Sequence, residues 1–83
     1  MNRRAVAEWI DDTWGSRLVF AEGFWRLDGV KTAAVDILAS ELYPRMQAEG
    51  IRPSFPMNAN NTHALFSQLR GVRRDRALDA GML

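Results

Sequence analysis

Residues 16–29 read SRLVFAEGFWRLDG, and whether they form helix or hairpin settles the class of the whole chain. Leu18, Val19 and Phe20 on one side, and Phe24, Trp25 and Leu27 on the other, are residue types that favour strands, with Ala21-Glu22-Gly23 interrupting them. Gly23 tolerates the positive φ that a three-residue loop requires. The pattern therefore predicts a hairpin over 17–28, with Phe20 opposite Phe24 and Val19 opposite Trp25. Alternation puts Phe24 and Arg26 on one face and Trp25 and Leu27 on the other. An isolated hairpin is marginal in water, so one face has to lie on helices.

The flanking segments supply those helices. Upstream, RRAVAEWIDDTW places Val6, Trp9, Ile10 and Thr13 at spacings of three and four, an amphipathic helix over 3–14 that Gly15 ends. Downstream, Asp28-Gly29 is a turn, and Ala34, Val35, Ile37, Leu38 and Leu42 predict a helix over 31–43. Pro44 disfavours helical geometry at Tyr43, so this helix is expected to stop or kink there, with PRMQAEG as a last turn up to Gly50. Two prolines and several asparagines mark residues 50–60 as a loop, with Phe55 pinned to the core. A final helix over 62–76, capped by Asn61 or Thr62, carries Leu65, Phe66, Leu69 and Val72 in a single apolar stripe. Gly71 is expected to mark its end or a bend. The fold class that follows is mainly α with one β-hairpin (α+β): a small bundle of three to four helices with the hairpin packed on it, one domain across residues 1–83.

Eighty-three residues leave little interior, so stability depends on a few large side chains, here three Trp, four Phe, one Tyr and four Met. No apolar run approaches the roughly 18 residues of a transmembrane helix, and Arg3, Arg4 and Glu8 leave no apolar signal-peptide core. With no cysteine in the chain, disulfides, thiolate zinc sites and cysteine nucleophiles are excluded, and a cytoplasmic location is expected.

Charge is distributed unevenly. Residues 1–49 hold six basic and eight acidic groups, whereas residues 50–83 hold five basic and two acidic. The basic groups are ten Arg and the single Lys31, and guanidinium forks suit bidentate phosphate contacts. On a helix beginning at Thr62, Arg70, Arg73, Arg74 and Gln68 fall away from Leu65, Leu69 and Val72 and are expected to point outward together. With Arg76 and with Arg52 in the preceding loop, they form a candidate surface for the phosphates of single-stranded DNA, whose affinity would fall steeply with salt. Replacing Arg70, Arg73 and Arg74 is then expected to remove binding and leave the melting temperature nearly unchanged. An exposed Trp25 or Phe24 beside Arg26 and Arg17 would form a platform on which unpaired bases can stack.

Two other readings compete with this one. A protein-interaction module would dock the arginine face on an acidic partner and anchor it with Phe55, Met57 or Trp14. A winged-helix-like regulator of duplex DNA would use residues 62–76 as recognition helix, with Asn60, Asn61, His63 and Gln68 at base edges. The connection of about eighteen residues before it exceeds the usual short turn of that motif. Catalysis is not expected. His63 is the only histidine, Asp11 and Asp12 diverge on their helix, and the sequence has no glycine-rich phosphate loop, serine nucleophile motif or zinc ligand set, so no cofactor or metal is expected either.

Residues 5–29, AVAEWIDDTWGSRLVFAEGFWRLDG, resemble the opening of the helical domain that follows the primase–polymerase core, and precedes the helicase, in phage and plasmid replication proteins. Those segments show a short helix, then a pattern of the type dlry…g.WyvWdG, then further helices. Arg17, Leu18, Val19 and Phe20 stand for its first half, and Trp25, Leu27, Asp28 and Gly29 for its second. The resemblance implies a non-catalytic helix-bundle module that helps hold single-stranded template, and sometimes the initiating nucleotide, within a replication complex while another domain polymerises. The arginines of the last helix would be its template contacts.

Overall fold

The computed structural model describes residues 1–81. In chain order the elements are α1 (Arg3–Trp14), a 3-10 turn (Gly15–Arg17), β1 (Leu18–Ala21), β2 (Phe24–Leu27), β3 (Val30–Lys31), α2 (Ala34–Ile37), a π-helical segment (Leu38–Leu42), α3 (Tyr43–Glu49) and α4 (Ala59–Asp79). The architecture is the expected one, mainly helical with a small antiparallel sheet packed on the helices.

The two long helices, α1 and α4, each start where a side chain satisfies a free amide. Asn2 caps α1 by accepting a hydrogen bond from the amide of Ala5 at 2.8 Å. Asn58 does the same for α4, accepting from Asn61 at 3.0 Å, so that helix begins three residues before the expected Thr62. Thr62 is instead buried one turn inside, its hydroxyl donating to the carbonyl of Asn58 at 2.7 Å. Gly71 neither ends nor bends α4, which continues through it to Asp79.

The sheet departs from expectation in two ways. The first loop has two residues, not three, and Ala21 pairs with Phe24, Phe20 with Trp25, Val19 with Arg26 and Leu18 with Leu27. Glu22 at φ 55° and Gly23 at φ 83° both take the left-handed conformation, as the two-residue turn that matches strand twist requires. Asp28 at φ 51° and Gly29 at φ 83° repeat that geometry and lead into β3, where a helix was expected to begin at residue 31. A period-two pattern of only two residues left β3 illegible.

The one-residue change in register decides which rings meet. Cross-strand partners share a face, so Phe20 and Trp25 turn together toward the helices, and Val19, Phe24, Arg26 and Lys31 turn toward solvent. Trp25 stands edge-on between Phe20 and Phe66 of α4, with centroids 5.1 and 5.0 Å away. This row of rings docks the sheet on α4. The remaining core is Val6, Ala7, Ile10 and Trp14 of α1 against Leu65, Leu69 and Val72 of α4, closed by Leu18, Ile37, Leu38, Leu42 and Met46. Phe55 packs against this core from the loop, as expected, with the Arg3 guanidinium over its ring at 5.7 Å.

Pro44 neither stops the helix nor leaves it regular. Proline lacks an amide hydrogen and its ring crowds the carbonyl four residues earlier. The chain widens into a π turn just before it, with the Tyr43 amide donating to Leu38, and resumes as α3. Tyr43 fixes the adjoining loop by donating its hydroxyl to the carbonyl of Met57 at 2.6 Å.

Candidate nucleic-acid interface

The arginines expected to act as one cluster fall on different sides of the molecule. Positions 62, 65, 69, 73 and 76 follow one another at intervals of three and four, so Arg73 and Arg76 continue the buried stripe of α4 and face α1. Arg73 donates to the Asp11 carboxylate at 2.8 Å, to the carbonyl of Gly15 at 2.8 Å and to the carbonyl of Leu18. It thereby joins α4 to the end of α1, the 3-10 turn and the start of β1. Arg76 donates to Asp11 and Asp12 at 2.8 and 2.7 Å and lies 3.9 Å from Glu8. Those hydrogen bonds to Asp12 and Asp11 hold its guanidinium charge even more firmly than usual. Arg73 and Arg76 are therefore structural contacts of α1, and the expectation that they point outward with Arg70 and Arg74 is corrected.

The other residues of the expected cluster divide as well. Arg26 lies on the open face of the sheet, 3.8 Å from Glu22. Gln68 lies on the far side of α4 from Arg70 and Arg74 by helical geometry, half-buried. Arg52 is exposed in the loop, where its carbonyl accepts from the Met1 ammonium at 2.7 Å. Neither Arg26, Gln68 nor Arg52 lines the hollows described next.

A different set of residues is brought together. His63, Ser67, Arg70 and Arg74 run at intervals of four, three and four along one exposed face of α4, beside the rings of the sheet. Between that face, the tip of the hairpin and the entry to α2 lies a hollow of about 420 Å³. Its floor is Phe20, Trp25 and Phe66, and its rim includes Phe24, Lys31, His63 and Arg70. A second, more polar hollow continues along α4 and is lined by Ser67, Arg70, Gly71 and Arg74. Ser67 and Arg70 belong to both, and no carboxylate lines either one.

Each cation at the rim has an aromatic partner in place of an acid. The Lys31 ammonium stands 3.6 Å from the centroid of Phe24, and the Arg70 guanidinium 4.0 Å from that of Phe20. Phe24 is 46% exposed and Trp25 is turned inward, on the opposite faces that alternation along β2 gave them. Elsewhere among the described residues, Arg4, Arg17, Arg26, Arg45, Arg73 and Arg76 each have a carboxylate within 4.0 Å. Among the described residues Arg3, Arg52, Lys31, Arg70 and Arg74 have none; Arg3 sits over Phe55 and Arg52 lies in the loop, whereas Lys31, Arg70 and Arg74 gather at the hollows. Arg17 illustrates the contrast: it grips Asp28 at 2.9 and 3.0 Å, and that hydrogen-bonded pair holds the Asp28 carboxyl below its usual range.

Lys31 escaped the sequence reading as a site residue, and His63 entered it only as a base-edge contact of the duplex reading. Lys31 sat inside an expected helix, and nothing local linked either residue to Phe24. The available signal was the interval of seven between His63 and Arg70, which puts both on one helix face. Comparison with protein-family models, with curated proteins and with solved structures finds no match for this chain. Among the described residues, no helix is long and apolar enough to cross a membrane.

Proposed function

We propose that this chain is a non-catalytic module that binds single-stranded nucleic acid through the paired hollows along α4. Unpaired bases rest against Phe24 and Phe20, and the phosphates on either side meet Lys31, Arg70 and Arg74. The observation that carries this reading is the coincidence of an exposed aromatic ring, an apolar floor and three acid-free cations in one continuous cleft. Base stacking on an aromatic side chain contributes about 1–3 kcal/mol per base and is indifferent to sequence, while the cations supply the salt-sensitive share of affinity. A duplex offers the phosphates without the base faces, so the single strand is the better ligand. The likeness of residues 5–29 to the helical segment of primase–polymerase proteins supports a replication setting, with the module holding unpaired template for a neighbouring enzyme.

The test is a titration of labelled oligothymidylate by fluorescence anisotropy across a salt series. The expected slope of log affinity against log salt is roughly −0.7 per phosphate contact, giving about −2 for three cations. Changing Arg70 and Arg74 together to Ala is expected to flatten the slope to about −0.7 while the protein remains folded. Unchanged binding by that variant would refute the assignment. So would retention on polyglutamate with no retention on DNA, the behaviour of a module for acidic proteins.

A further inference from the structure

Both rings offered for stacking, Phe24 at the rim and Phe20 on the floor, already carry a cation. A cation seated at 3.6 Å over Phe24, and another at 4.0 Å over Phe20, cover the π faces against which a base would stack. Ring and base cannot meet while the cation stays. The same two cations are those nearest to where the flanking phosphates would lie, since Arg70 lines both hollows and Lys31 stands on the rim of the apolar one.

We infer that Lys31 and Arg70 are exchangeable caps, which leave Phe24 and Phe20 only when a phosphate is there to receive them. The inference rests on the single-strand reading of the same cleft and adds the basis of its selectivity. A ligand with bases and no charge must displace the cations with nothing to compensate them. A polyanion with no free bases draws the cations away but leaves the rings uncovered in water. Only a strand presenting both, an unpaired base next to a phosphate, completes the exchange. The cleft thereby rejects polyanions in general, a discrimination that a bare basic patch lacks. The caps also keep an exposed Phe from being an indiscriminate apolar surface in the free protein.

The Lys31→Met/Arg70→Met variant retains long apolar side chains and removes both charges. It is compared with the unaltered protein on two probes: oligothymidylate, and a thymine oligomer of the same length on an uncharged peptide nucleic acid backbone. Native-like circular dichroism and melting are required of the variant, and Arg74→Ala serves as a second variant that removes a cation from the cleft without uncapping a ring. The expected result is opposite signs. The double Met variant loses at least tenfold on DNA and gains about two- to fivefold on the uncharged probe, the gain set by the modest strength of exposed cation–π contacts. Arg74→Ala weakens DNA binding and leaves the uncharged probe unaffected.

Loss on both probes would overturn the exchange and indicate that Arg70 stays on its ring and stacks on the base itself. An unchanged affinity for the uncharged probe would also overturn it. If the unaltered protein binds no oligothymidylate at low salt, the single-strand reading fails and the exchange fails with it. Either of the first two results, with wild-type DNA binding intact, removes the exchange alone.

Discussion

Two pairs of arginines on one helix do opposite work. Arg73 and Arg76 lie within one turn of Arg70 and Arg74, carry the same charge, and are nearly indistinguishable in local sequence. The first pair faces α1 and spends its hydrogen bonds on Asp11, Asp12 and two main-chain carbonyls, with Glu8 as a further ion-pair neighbour. The second pair faces the sheet and the open cleft, with a ring or solvent as neighbour. What separates them is angular position on α4 relative to a partner helix some sixty residues earlier in the chain. A basic segment is thus a poor unit of function, because a charge is available to a ligand only where the fold has not already paired it.

The comparison is broken most severely at Arg73. Its replacement by Ala leaves the half-buried Asp11 carboxylate short of a partner and strips the carbonyls of Gly15 and Leu18, an expected loss of about 2–3 kcal/mol. Thermal melting followed by circular dichroism is expected to show a fall of at least 8 °C in Tm, given roughly 4–8 °C per kcal/mol in a domain of this size. Binding of oligothymidylate per folded molecule should be unaltered. A melt within 2 °C of wild type would erase the distinction between the two pairs. It follows that a Arg70, Arg73 and Arg74 triple substitution is not the stability-neutral probe that the sequence suggested.

Gly71 lies on α4 between the two pairs and sharpens the comparison from the opposite direction. A Cβ added there meets no atom within 4 Å, and its backbone is ordinary helix. Gly71→Ala is therefore expected to stabilise by about 0.5–1 kcal/mol, read as a rise of a few degrees in Tm. A fall would mean that the helix is not regular through this point.

Arg74→Ala on the cleft side is expected to change stability by less than about 0.5 kcal/mol, because the side chain is exposed and has no acidic partner. Its effect should appear only in the salt slope of DNA binding. A drop in Tm comparable with that of the Arg73 variant would place both arginines in the same class.

The smallest effect concerns the exposed pairs that belong to neither group. Asp28 is held below the ordinary carboxylate range by the hydrogen bond from Arg17, and Glu49 by hydrogen bonds from Arg45 and from the Trp9 indole. A carboxyl whose folded-state pKa is depressed contributes stability that is present above its unfolded value and is lost as pH falls through the folded one. Tm is therefore expected to be level above about pH 5 and to decline below about pH 4. Asp28→Asn should make that acid-side decline slightly shallower; a steeper one would reverse the sign.

The helices, the hairpin and most of the core could be read from spacing alone. Periodicity of three and four is a local signal, and it placed α1 from Arg3 to Trp14 and the stripe of Leu65, Phe66, Leu69 and Val72 without knowledge of what they face. Alternation likewise put Phe24 and Trp25 on opposite faces, but packing on the helices decided which face is open. Tertiary structure decided the rest. Glu22 joins Gly23 in the left-handed region because a two-residue turn fits the twist of paired strands, and that choice set which rings meet. The pairing of Arg73 with Asp11, and of Arg70 with Phe20, depends on segments distant in the chain coming within a few ångströms. Electrostatic and stacking energies fall off over those short distances, so no reading of neighbours along the chain contains them.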